Sequence, residues 1–381
     1  MTIAFHKSFF SKELNGFLEK IFVSNNLSGD GVYTKKIHHF IEKNFKAKKT
    51  LLTTSCTSAL ELSMLLLDLK EGDEVILPSY TFVSSANPIL LRKAKPVFVE
   101  INAQTLNMDP EDVRAKITSK TKAIIPVHYA GVACDMDNIL KLAAFYKLKV
   151  IEDAAQGVNA KYKDKYLGTI GDLGCYSFHG TKNYSCGEGG SILINNNDDE
   201  LFQRAEIIRE KGTNRSQFIR GQVDKYTWVD IGSSFLPSDL LAAVLYKQFK
   251  YLDYIQNRRE SIYYRYMSAL KELEERELLR LPFIPEYCQS NYHIFHILLN
   301  GEQERNMLMA FLKSRGIQTA FHYIPLHTSP MGKKLGYNEG DFSITETISK
   351  CILRLPIYPD LTEDEQSYII ESIFCFFSEI I

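Results

Sequence analysis

The 381-residue sequence lacks an excess of either charge, since 45 lysines and arginines stand against 46 aspartates and glutamates. Nucleic-acid-binding proteins usually carry a basic excess or a basic stripe, so this class is not expected. The sequence also lacks an apolar run near the roughly 20 residues that cross a bilayer. Its beginning, MTIAFHKSFFSKELNGF, contains no continuous apolar segment of signal-peptide length. These absences predict a cytoplasmic protein with neither a membrane nor a nucleic acid as partner.

Paired cysteine motifs are absent as well. The seven cysteines are scattered, odd in number and never spaced as CxxC, which argues against a disulfide framework or a zinc site. The histidines show no HxxxH or HxxEH spacing of the kind that binds zinc on a helix. We therefore expect no bound metal, and a reducing compartment suits the chain. The cysteines are Cys56, Cys134, Cys175, Cys186, Cys288, Cys351 and Cys375.

Residues 148–190, in contrast, hold a concentrated set of reactive groups. One apolar run predicts a strand that ends at Asp153, and a second predicted strand ends at Ser177 and leads to Lys182. Taken singly, an aspartate after a strand is usually a helix cap, and a loop lysine is usually solvated. Together they are the two groups that pyridoxal phosphate (PLP) chemistry requires: a carboxylate that keeps a heteroaromatic nitrogen protonated, and an amine that forms an imine.

The motifs EDAAQ and SFHGTKN in this stretch resemble those of the DegT/DnrJ/EryC1/StrS family of sugar-nucleotide aminotransferases, and the resemblance extends along the whole chain. Five further motifs are similar to those of family members that make dTDP-4-amino-4,6-dideoxygalactose. They are LLTTSCTSALE, LPSYTFVSSANP, VHYAGVACDMD, REKGTNRSQFIRGQVDKYTW and FHYIPLH. The resemblance implies PLP-dependent transamination of the 4-keto group of dTDP-4-keto-6-deoxyglucose, with glutamate as amino donor. The product would serve lipopolysaccharide or O-antigen biosynthesis.

The resemblance also implies roles for individual residues. Lys182 would condense with the cofactor aldehyde, Asp153 would pair with the pyridine nitrogen, and Gln156 would hydrogen-bond the phenolic oxygen. The cofactor phosphate would lie near Ser55, Cys56, Thr57 and Ser177, the ring would stack on Phe82, and Ser234 would reach the cofactor of a neighbouring subunit. The expected substrate contacts are Tyr129, His179, Lys225, His322 and Tyr323.

Ordinary structural explanations exist for several of these positions. The segment from Thr53 to Glu61 also fits a capped helix, because Ser and Thr are common N-caps. Phe82 could simply be a core aromatic, and His128 could be a hydrogen-bonded core histidine. The sequence alone leaves these alternatives open.

Short β-rich runs alternate with helical segments and predict an α/β protein with a mainly parallel sheet whose site lies at the strand carboxyl ends. The resemblance implies PLP fold type I, with a seven-stranded large domain over 1–245. A long helix and linker over 246–284 would connect it to a small α+β domain over 285–381. Apolar spacing over 239–275 predicts one continuous helix. The expected assembly is a homodimer with active sites at its interface.

Three alternatives to the expected reaction stay open in different degrees. A sugar dehydratase of related fold is disfavoured because such relatives carry histidine where this chain has Lys182. A transaminase for another dTDP-keto sugar, giving the gluco 4-amine or a 3-amine, is the principal alternative. A non-catalytic regulator with this fold is disfavoured because it would not need Asp153, Gln156, Ser177 and Lys182 together.

Overall fold

The computed structural model of the chain describes residues 2–24 and 27–380. Seven strands form the main sheet, in the order β1-β9-β8-β5-β4-β2-β3. β9 runs antiparallel to both of its neighbours, and the remaining pairings are parallel, as the sequence predicted. The strands are β1 (Lys49–Thr53), β2 (Glu74–Pro78), β3 (Lys95–Val99), β4 (Thr121–Ile124), β5 (Lys149–Asp153), β6 (Lys161–Tyr162), β7 (Lys165–Tyr166), β8 (Leu173–Ser177), β9 (Gly190–Ile194), β10 (Cys288–Gln289), β11 (Phe295–Leu298) and β12 (Ile352–Leu355).

Helices cover both faces of the main sheet. Successive strand residues point to opposite faces, so Val75 and Leu77 of β2 enter one buried cluster and Ile76 enters the other. The helices are α1 (Leu14–Ser24), α2 (Val32–Phe40), α3 (Cys56–Leu66), α4 (Asn87–Leu91), α5 (Pro110–Lys116), α6 (Met136–Tyr146), α7 (Asp199–Arg209), α8 (Arg215–Ile219), α9 (Asp239–Phe249), α10 (Leu252–Glu275), α11 (Glu302–Ser314), α12 (Pro330–Lys334), α13 (Ser343–Cys351) and α14 (Glu363–Ile380). Among the described residues, no helix has the length and apolarity to cross a membrane.

The C-terminal region, defined here as α10 to α14 with the antiparallel pair β11 and β12, has its own buried cluster. Residues of α10 such as Ile262, Tyr266 and Leu270 lie in this cluster together with Leu353 and Leu355 of β12. The long helix α10 therefore packs with the C-terminal region. A three-stranded ribbon, in the order β10-β6-β7, joins this region to a hairpin of the large-sheet region.

The single helix predicted over 239–275 is wrong, because the structure has two helices there. The last amides of α9 bond three residues back, from Lys250 to the carbonyl of Lys247 and from Tyr251 to that of Gln248. Such bonds tighten the final turn and end an α-helix. Tyr251 then leaves helical geometry, with φ −109° and ψ 19°, before α10 begins.

The N-terminal segment, residues 3–8, crosses between the two regions. Ile3 forms a parallel bridge with Ile317 of the C-terminal region, and its N–H donates to the carbonyl of Gly316 at 2.9 Å. A few residues later, the Ser8 hydroxyl donates to the carbonyl of Gly180 in the large-sheet region at 2.5 Å. The segment is thereby fixed at both ends beside the loop that carries Lys182.

Candidate active site

A cavity of about 580 Å³ lies between the carboxyl ends of the main-sheet strands and the C-terminal region. This is the location expected for a ligand site in an open parallel sheet. Eleven of the residues selected from the sequence line it together. They are Ser55, Cys56, Thr57, Phe82, Asp153, Gln156, Ser177, His179, Lys182, His322 and Tyr323.

Asp153 is a buried carboxylate at the end of β5. Its Oδ2 accepts a hydrogen bond from the Ser85 hydroxyl at 2.7 Å, and its Oδ1 accepts one from the Ala155 N–H at 3.1 Å. Within the described part of the chain, no cationic side chain forms an ion pair with it. A buried carboxylate that is held in place by neutral donors and forms no ion pair is suited to receive a cationic ligand group.

Lys182 follows β8 on a tight turn in which its N–H donates to the carbonyl of His179 at 2.9 Å. Burial lowers the pKa of the Lys182 amine below its ordinary value, while Cys56 and Asp153 act in the opposite direction. The charge of Arg354 also lowers this pKa. The amine is therefore more often neutral than a surface lysine, which a nucleophile or general base needs.

The start of α3 forms another part of the cavity wall. Ser55 is the N-cap, and its Oγ accepts from the Ser58 N–H at 3.0 Å. The first backbone N–H groups of any helix lack intrahelical partners, so those at Cys56 and Thr57 are available to an anion. A Cβ at Gly190 would overlap the backbone of Ser55 and Cys56, so only glycine allows β9 to pass this close.

An aromatic ring and a side-chain amide also line the cavity. Phe82 is 56% exposed, which is unusual for a core aromatic and leaves its ring available to a ligand. The Gln156 side chain accepts from the Ala130 N–H at 2.6 Å and donates to the Tyr323 hydroxyl at 3.0 Å. Gln156 is thus fixed in orientation, with one amide N–H left over.

Tyr129 is the one predicted substrate residue that lies beneath the cavity instead of on its surface. It is fully buried, and its hydroxyl hydrogen-bonds Nδ1 of His322 at 3.1 Å. Tyr80 also donates to the His322 backbone carbonyl. Tyr129 therefore contacts the cavity through His322.

Two predicted residues lie outside the cavity of this chain. Lys225 is exposed on the loop between α8 and α9, and Ser234 is exposed where it bridges Glu210. Trp228 on the same loop is 77% exposed. The sequence predicted that Ser234 contacts the cofactor of a second subunit. A single chain does not test this contact, so it stays a prediction.

The cavity also contains residues that the sequence did not single out. Phe5 and His6 come from the N-terminal segment, and Arg259, His293 and Arg354 come from the C-terminal region. Arg259 donates through Nε and Nη2 to the carbonyls of Tyr292 and His293. A lone arginine inside an otherwise apolar strand, as in the run Ile352–Leu355, is the only signal that could have drawn attention to one of them.

His128 turns out to be the hydrogen-bonded core histidine that the sequence left open as an alternative. Its ring bonds Glu152 at 2.9 Å on one side and the N–H of Cys134 at 3.1 Å on the other. Both side chains of the His128–Glu152 pair are fully buried. No group of three or more His, Cys, Asp or Glu side chains among the described residues could hold a metal ion.

The lining residues carry the chemical groups that PLP requires. An unpaired buried carboxylate at Asp153 suits a protonated ring nitrogen, and a partly neutral amine at Lys182 suits an aldehyde. The free N–H groups at the start of α3 suit a phosphate. The exposed face of Phe82 suits an aromatic ring.

Comparison with known proteins agrees with this chemistry. The model of the DegT/DnrJ/EryC1/StrS aminotransferase family matches residues 10–374. The spore coat polysaccharide biosynthesis protein SpsC of Bacillus subtilis is 35% identical over 89% of this chain and 88% of its own. A pleiotropic regulatory protein of Geobacillus stearothermophilus is 36% identical over 91% of this chain and 90% of its own.

Solved structures share the whole fold. The apo form of the sugar aminotransferase Spr1654 of Streptococcus pneumoniae, described as putative, superimposes with a TM-score of 0.93 at 27% identity, covering 100% of this chain and 98% of that one. The same pneumococcal protein has been solved in PLP and PMP forms, each with a TM-score of 0.92. The fold is therefore PLP fold type I, and the chain belongs to the DegT/DnrJ/EryC1/StrS family of PLP-dependent sugar aminotransferases.

Proposed function

We propose that the chain transfers an amino group to the 4-keto carbon of dTDP-4-keto-6-deoxyglucose and so makes dTDP-4-amino-4,6-dideoxygalactose. Glutamate is the proposed amino donor, and surface polysaccharide, such as lipopolysaccharide O-antigen, is the proposed destination of the product. The observation that carries the reaction type is the presence of Asp153 and Lys182 in one cavity, where neither forms an ion pair with another described residue. The choice of sugar is supported by the motifs VHYAGVACDMD and FHYIPLH. The name of the Bacillus subtilis relative supports a role in polysaccharide synthesis.

Asp153 has the proposed role of holding the cofactor ring. When bound, PLP supplies a protonated pyridine ring that withdraws electrons from the carbon at which the amino group is exchanged. Asp153 would accept a hydrogen bond from the ring nitrogen and keep its proton in place. The bonds from Ser85 and Ala155 fix the carboxylate beforehand, so little reorganisation is needed at the moment of reaction.

Lys182 has two proposed roles. Its amine would first bond covalently to the cofactor aldehyde, and once displaced it would carry a proton to and from the substrate carbon as general acid and base. Both roles need a neutral amine for part of the time. The pKa-lowering effect of burial on Lys182 supports this assignment.

The remaining cofactor contacts are proposed from the chemical group that each lining residue carries. Backbone N–H groups of Ser55, Cys56 and Thr57, with the Ser177 hydroxyl, would bind the phosphate. Phe82 would cover one face of the ring, and the free N–H of Gln156 would donate to its phenolic oxygen. His179, His322 and Tyr323 would contact the sugar nucleotide, with Tyr129 acting through His322.

A homodimer with its sites at the interface is proposed as the working form, located in the cytoplasm. The exposed loop that carries Lys225 and Ser234 would reach the cavity of the second subunit. Support comes from the large apolar side chains that this loop leaves exposed, among them Tyr226, Trp228 and Val229. The seven free cysteines support a reducing compartment.

The test is a spectral and product assay with the PLP-loaded protein. We expect the visible absorbance of the bound cofactor to bleach with glutamate and to return when dTDP-4-keto-6-deoxyglucose is added, and NMR should identify the galacto 4-amine. Lys182→Ala should abolish turnover, with a loss of at least about 1000-fold, whereas Lys149→Ala, a paired surface lysine, should retain wild-type turnover. Wild-type turnover in Lys182→Ala would refute the assigned role.

The same assay separates the alternatives. Restored absorbance with a 3-keto sugar, or a gluco 4-amine as product, would keep transamination but change the substrate or stereochemistry. The regulator alternative is motivated by the name of the Geobacillus stearothermophilus relative. A protein that binds PLP but shows no bleaching with any amino acid would favour that alternative over an enzyme.

A further inference from the structure

The ring of His293, in the C-terminal region, has its proton placed by a neighbouring amide. Its Nδ1 lies 2.8 Å from the side-chain oxygen of Asn183. The Asn183 amide nitrogen donates to the carbonyl of Asn291 at 2.8 Å, and this bond directs the amide oxygen toward the ring. Because an amide oxygen only accepts, Nδ1 of His293 carries the proton and Nε2 keeps a lone pair.

The ring of His6, in the N-terminal segment, has the opposite tautomer. Its Nε2 lies 2.8 Å from the backbone carbonyl of Gly180. A carbonyl oxygen only accepts, so Nε2 carries the proton and Nδ1 keeps the lone pair. The Ser8 hydroxyl donates to the same carbonyl, which ties the segment that carries His6 to this place.

Both lone pairs are available to a ligand. His6 and His293 line the same cavity, and within residues 2–24 and 27–380 neither lone-pair nitrogen has a hydrogen-bond partner. Neither nitrogen belongs to the buried polar atoms that lack a partner, so both are accessible. The two rings are also close enough for a charge on His6 to act on His293. Together they form an acceptor pair, defined here as Nδ1 of His6 and Nε2 of His293.

The other two histidines that line the cavity are engaged differently. Nδ1 of His179 accepts from the Thr181 N–H at 3.2 Å, and its Nε2 lies 3.5 Å from Glu188. Nδ1 of His322 is hydrogen-bonded to the Tyr129 hydroxyl at 3.1 Å. The acceptor pair is thus a separate feature of the cavity wall.

The surroundings keep both rings of the acceptor pair neutral. Burial lowers the pKa of His293 well below its ordinary value, and the charges of Lys182 and Arg259 act in the same direction. Burial also lowers the pKa of His6, although its bond to the Gly180 carbonyl acts in the opposite direction. A neutral ring retains the lone pair that a hydrogen-bond acceptor needs.

The charges around the acceptor pair determine which kind of ligand suits it. Arg259 and Arg354 each act on both rings, and the guanidinium carbon of Arg354 lies 4.7 Å from the centre of the Phe5 ring, beside His6 in the sequence. These cations would repel a ligand ammonium group. A hydroxyl group has no net charge and donates a hydrogen bond. The pair therefore suits a ligand with hydroxyl groups, such as a sugar ring.

We infer that the acceptor pair of His6 and His293 binds hydroxyl groups of the keto-sugar and holds the sugar ring beside Lys182. The inference rests on the proposed function and adds a subsite to its sugar substrate. A site built to accept hydrogen bonds from a hydroxyl discriminates against a substrate that lacks it, because its polar atoms are then left unpaired. The acceptor pair is accordingly a determinant of sugar specificity.

The experiment replaces one ring nitrogen at a time, because asparagine carries its polar atoms near the position of Nδ1 and glutamine near that of Nε2. His293→Asn and His6→Gln keep the bonds to Asn183 and Gly180 but remove the acceptors. For these two variants we expect the KM for the keto-sugar to rise about 5- to 10-fold, the range for one neutral hydrogen bond. His293→Gln and His6→Asn keep an acceptor and should stay closer to the wild type. A purely structural role of the rings predicts the reverse order, which would overturn the inference.

Two further measurements in the PLP-loaded protein isolate the sugar. Calorimetric titration with dTDP-6-deoxygalactose, which has sugar hydroxyls but no keto group, should give a Kd about 5- to 10-fold higher in His293→Asn and His6→Gln. The Kd for dTDP and the KM for glutamate in cofactor bleaching should not change. His39→Gln is the matched control, because His39 is exposed and does not line the cavity, and it should leave all of these constants unchanged.

Sugar analogues that lack the C2 or the C3 hydroxyl complete the test. In the wild type, at least one deletion should raise the KM about 5- to 10-fold, and in His293→Asn or His6→Gln the same deletion should add no further loss. Equal losses in the wild type and in both variants would overturn the inference. A higher KM for glutamate with an unchanged KM for the sugar would overturn it in favour of the donor ammonium. Absence of bleaching in the wild type would instead refute the proposed function itself.

Discussion

The two walls of the cavity differ in how they hold their charged groups. The large-sheet wall consists of the lining residues that follow the main-sheet strands, and the C-terminal wall consists of the lining residues of the C-terminal region. On the large-sheet wall, the Asp153 carboxylate is fixed by two hydrogen bonds, one from the Ser85 hydroxyl and one from the Ala155 N–H. On the C-terminal wall, the Arg354 guanidinium has an aromatic ring behind it and an unpaired Nε. The first arrangement suits a group that stays bound through the catalytic cycle. The second suits a substrate that must arrive and leave.

Polar contacts and a buried apolar cluster both join the two walls. His322 is held by Tyr80 and Tyr129, and Tyr323 is held by Gln156. An apolar cluster also spans the two regions, with Tyr80 and Tyr129 on one side and Ile294, Leu298 and Ile352 on the other. Because the proposed reacting groups lie on the large-sheet wall and proposed substrate contacts lie on the C-terminal wall, we expect substitutions on the first to lower kcat and substitutions on the second mainly to raise KM.

The largest effect is expected from Asp153→Asn on the large-sheet wall. The substitution keeps the size of the side chain and removes its charge, so kcat should fall by about 100-fold or more while the protein still folds and binds PLP. The control is Asp172→Asn, because Asp172 caps the opposite end of the same strand through Val150 and pairs with Lys149. Steady-state kinetics and PLP titration provide the measurement. Equal kcat values for the two variants would contradict the role of Asp153.

A smaller effect is expected from Tyr323→Phe on the C-terminal wall. Loss of the hydroxyl leaves the Gln156 amide without its 3.0 Å partner, which costs about 1 kcal/mol of stability. Tyr323 is also a proposed contact of the sugar nucleotide, so the KM for that substrate should rise about 5- to 10-fold, the range for losing one hydrogen bond, with kcat nearly unchanged.

Tyr337→Phe is the matched control for Tyr323→Phe. Its hydroxyl donates to the Pro96 carbonyl and accepts from the Phe98 N–H, both at 3.1 Å, away from the cavity. A comparable loss of stability without any change in KM is expected. If both variants raise KM equally, the distinction between the walls fails.

The smallest effect concerns the dependence of stability on pH. The pKa of Lys182 is lowered in the folded protein, so between that value and the ordinary 10.5 the unfolded chain binds more protons than the folded one. The free energy of unfolding contributed by this residue should therefore rise with pH through that interval. Urea unfolding of the cofactor-free wild type and of Lys182→Met should be measured at a fixed protein concentration. As the pH rises, the free energy of unfolding of the wild type should increase relative to that of the variant. A constant difference would show that the Lys182 pKa is unchanged on folding.

The large-sheet wall could be predicted from the sequence because its groups follow strand ends within short motifs. Asp153 ends β5, Ser177 ends β8, and Lys182 comes five residues later, so sheet topology alone brings them together. The alternation of strand and helix patterns correctly predicted a mainly parallel sheet, and the family resemblance correctly implied its seven strands. These features depend on local patterns and on the geometry common to parallel sheets.

The rest depends on contacts between distant parts of the chain. Nothing near Phe5 in the sequence indicates that it faces Arg354, and the break between α9 and α10 depends on how each helix packs. α9 packs with the large-sheet region, whereas α10 packs with the C-terminal cluster. Apolar spacing continued across both helices, which is why one helix was predicted. Apolar periodicity shows which face of a helix is buried, but it does not show which part of the protein covers that face.

The bridge between Ile3 and Ile317 has a consequence for the order of folding. The segment around Ile3 cannot take its final place until the segment around Gly316 is in place. Phe5 and His6 of the N-terminal segment then close one side of the cavity, so the main sheet can form before its pocket is complete. A folding chain would become competent for catalysis only after the C-terminal region has folded, and removal of residues 2–8 should leave the sheet intact while opening the pocket.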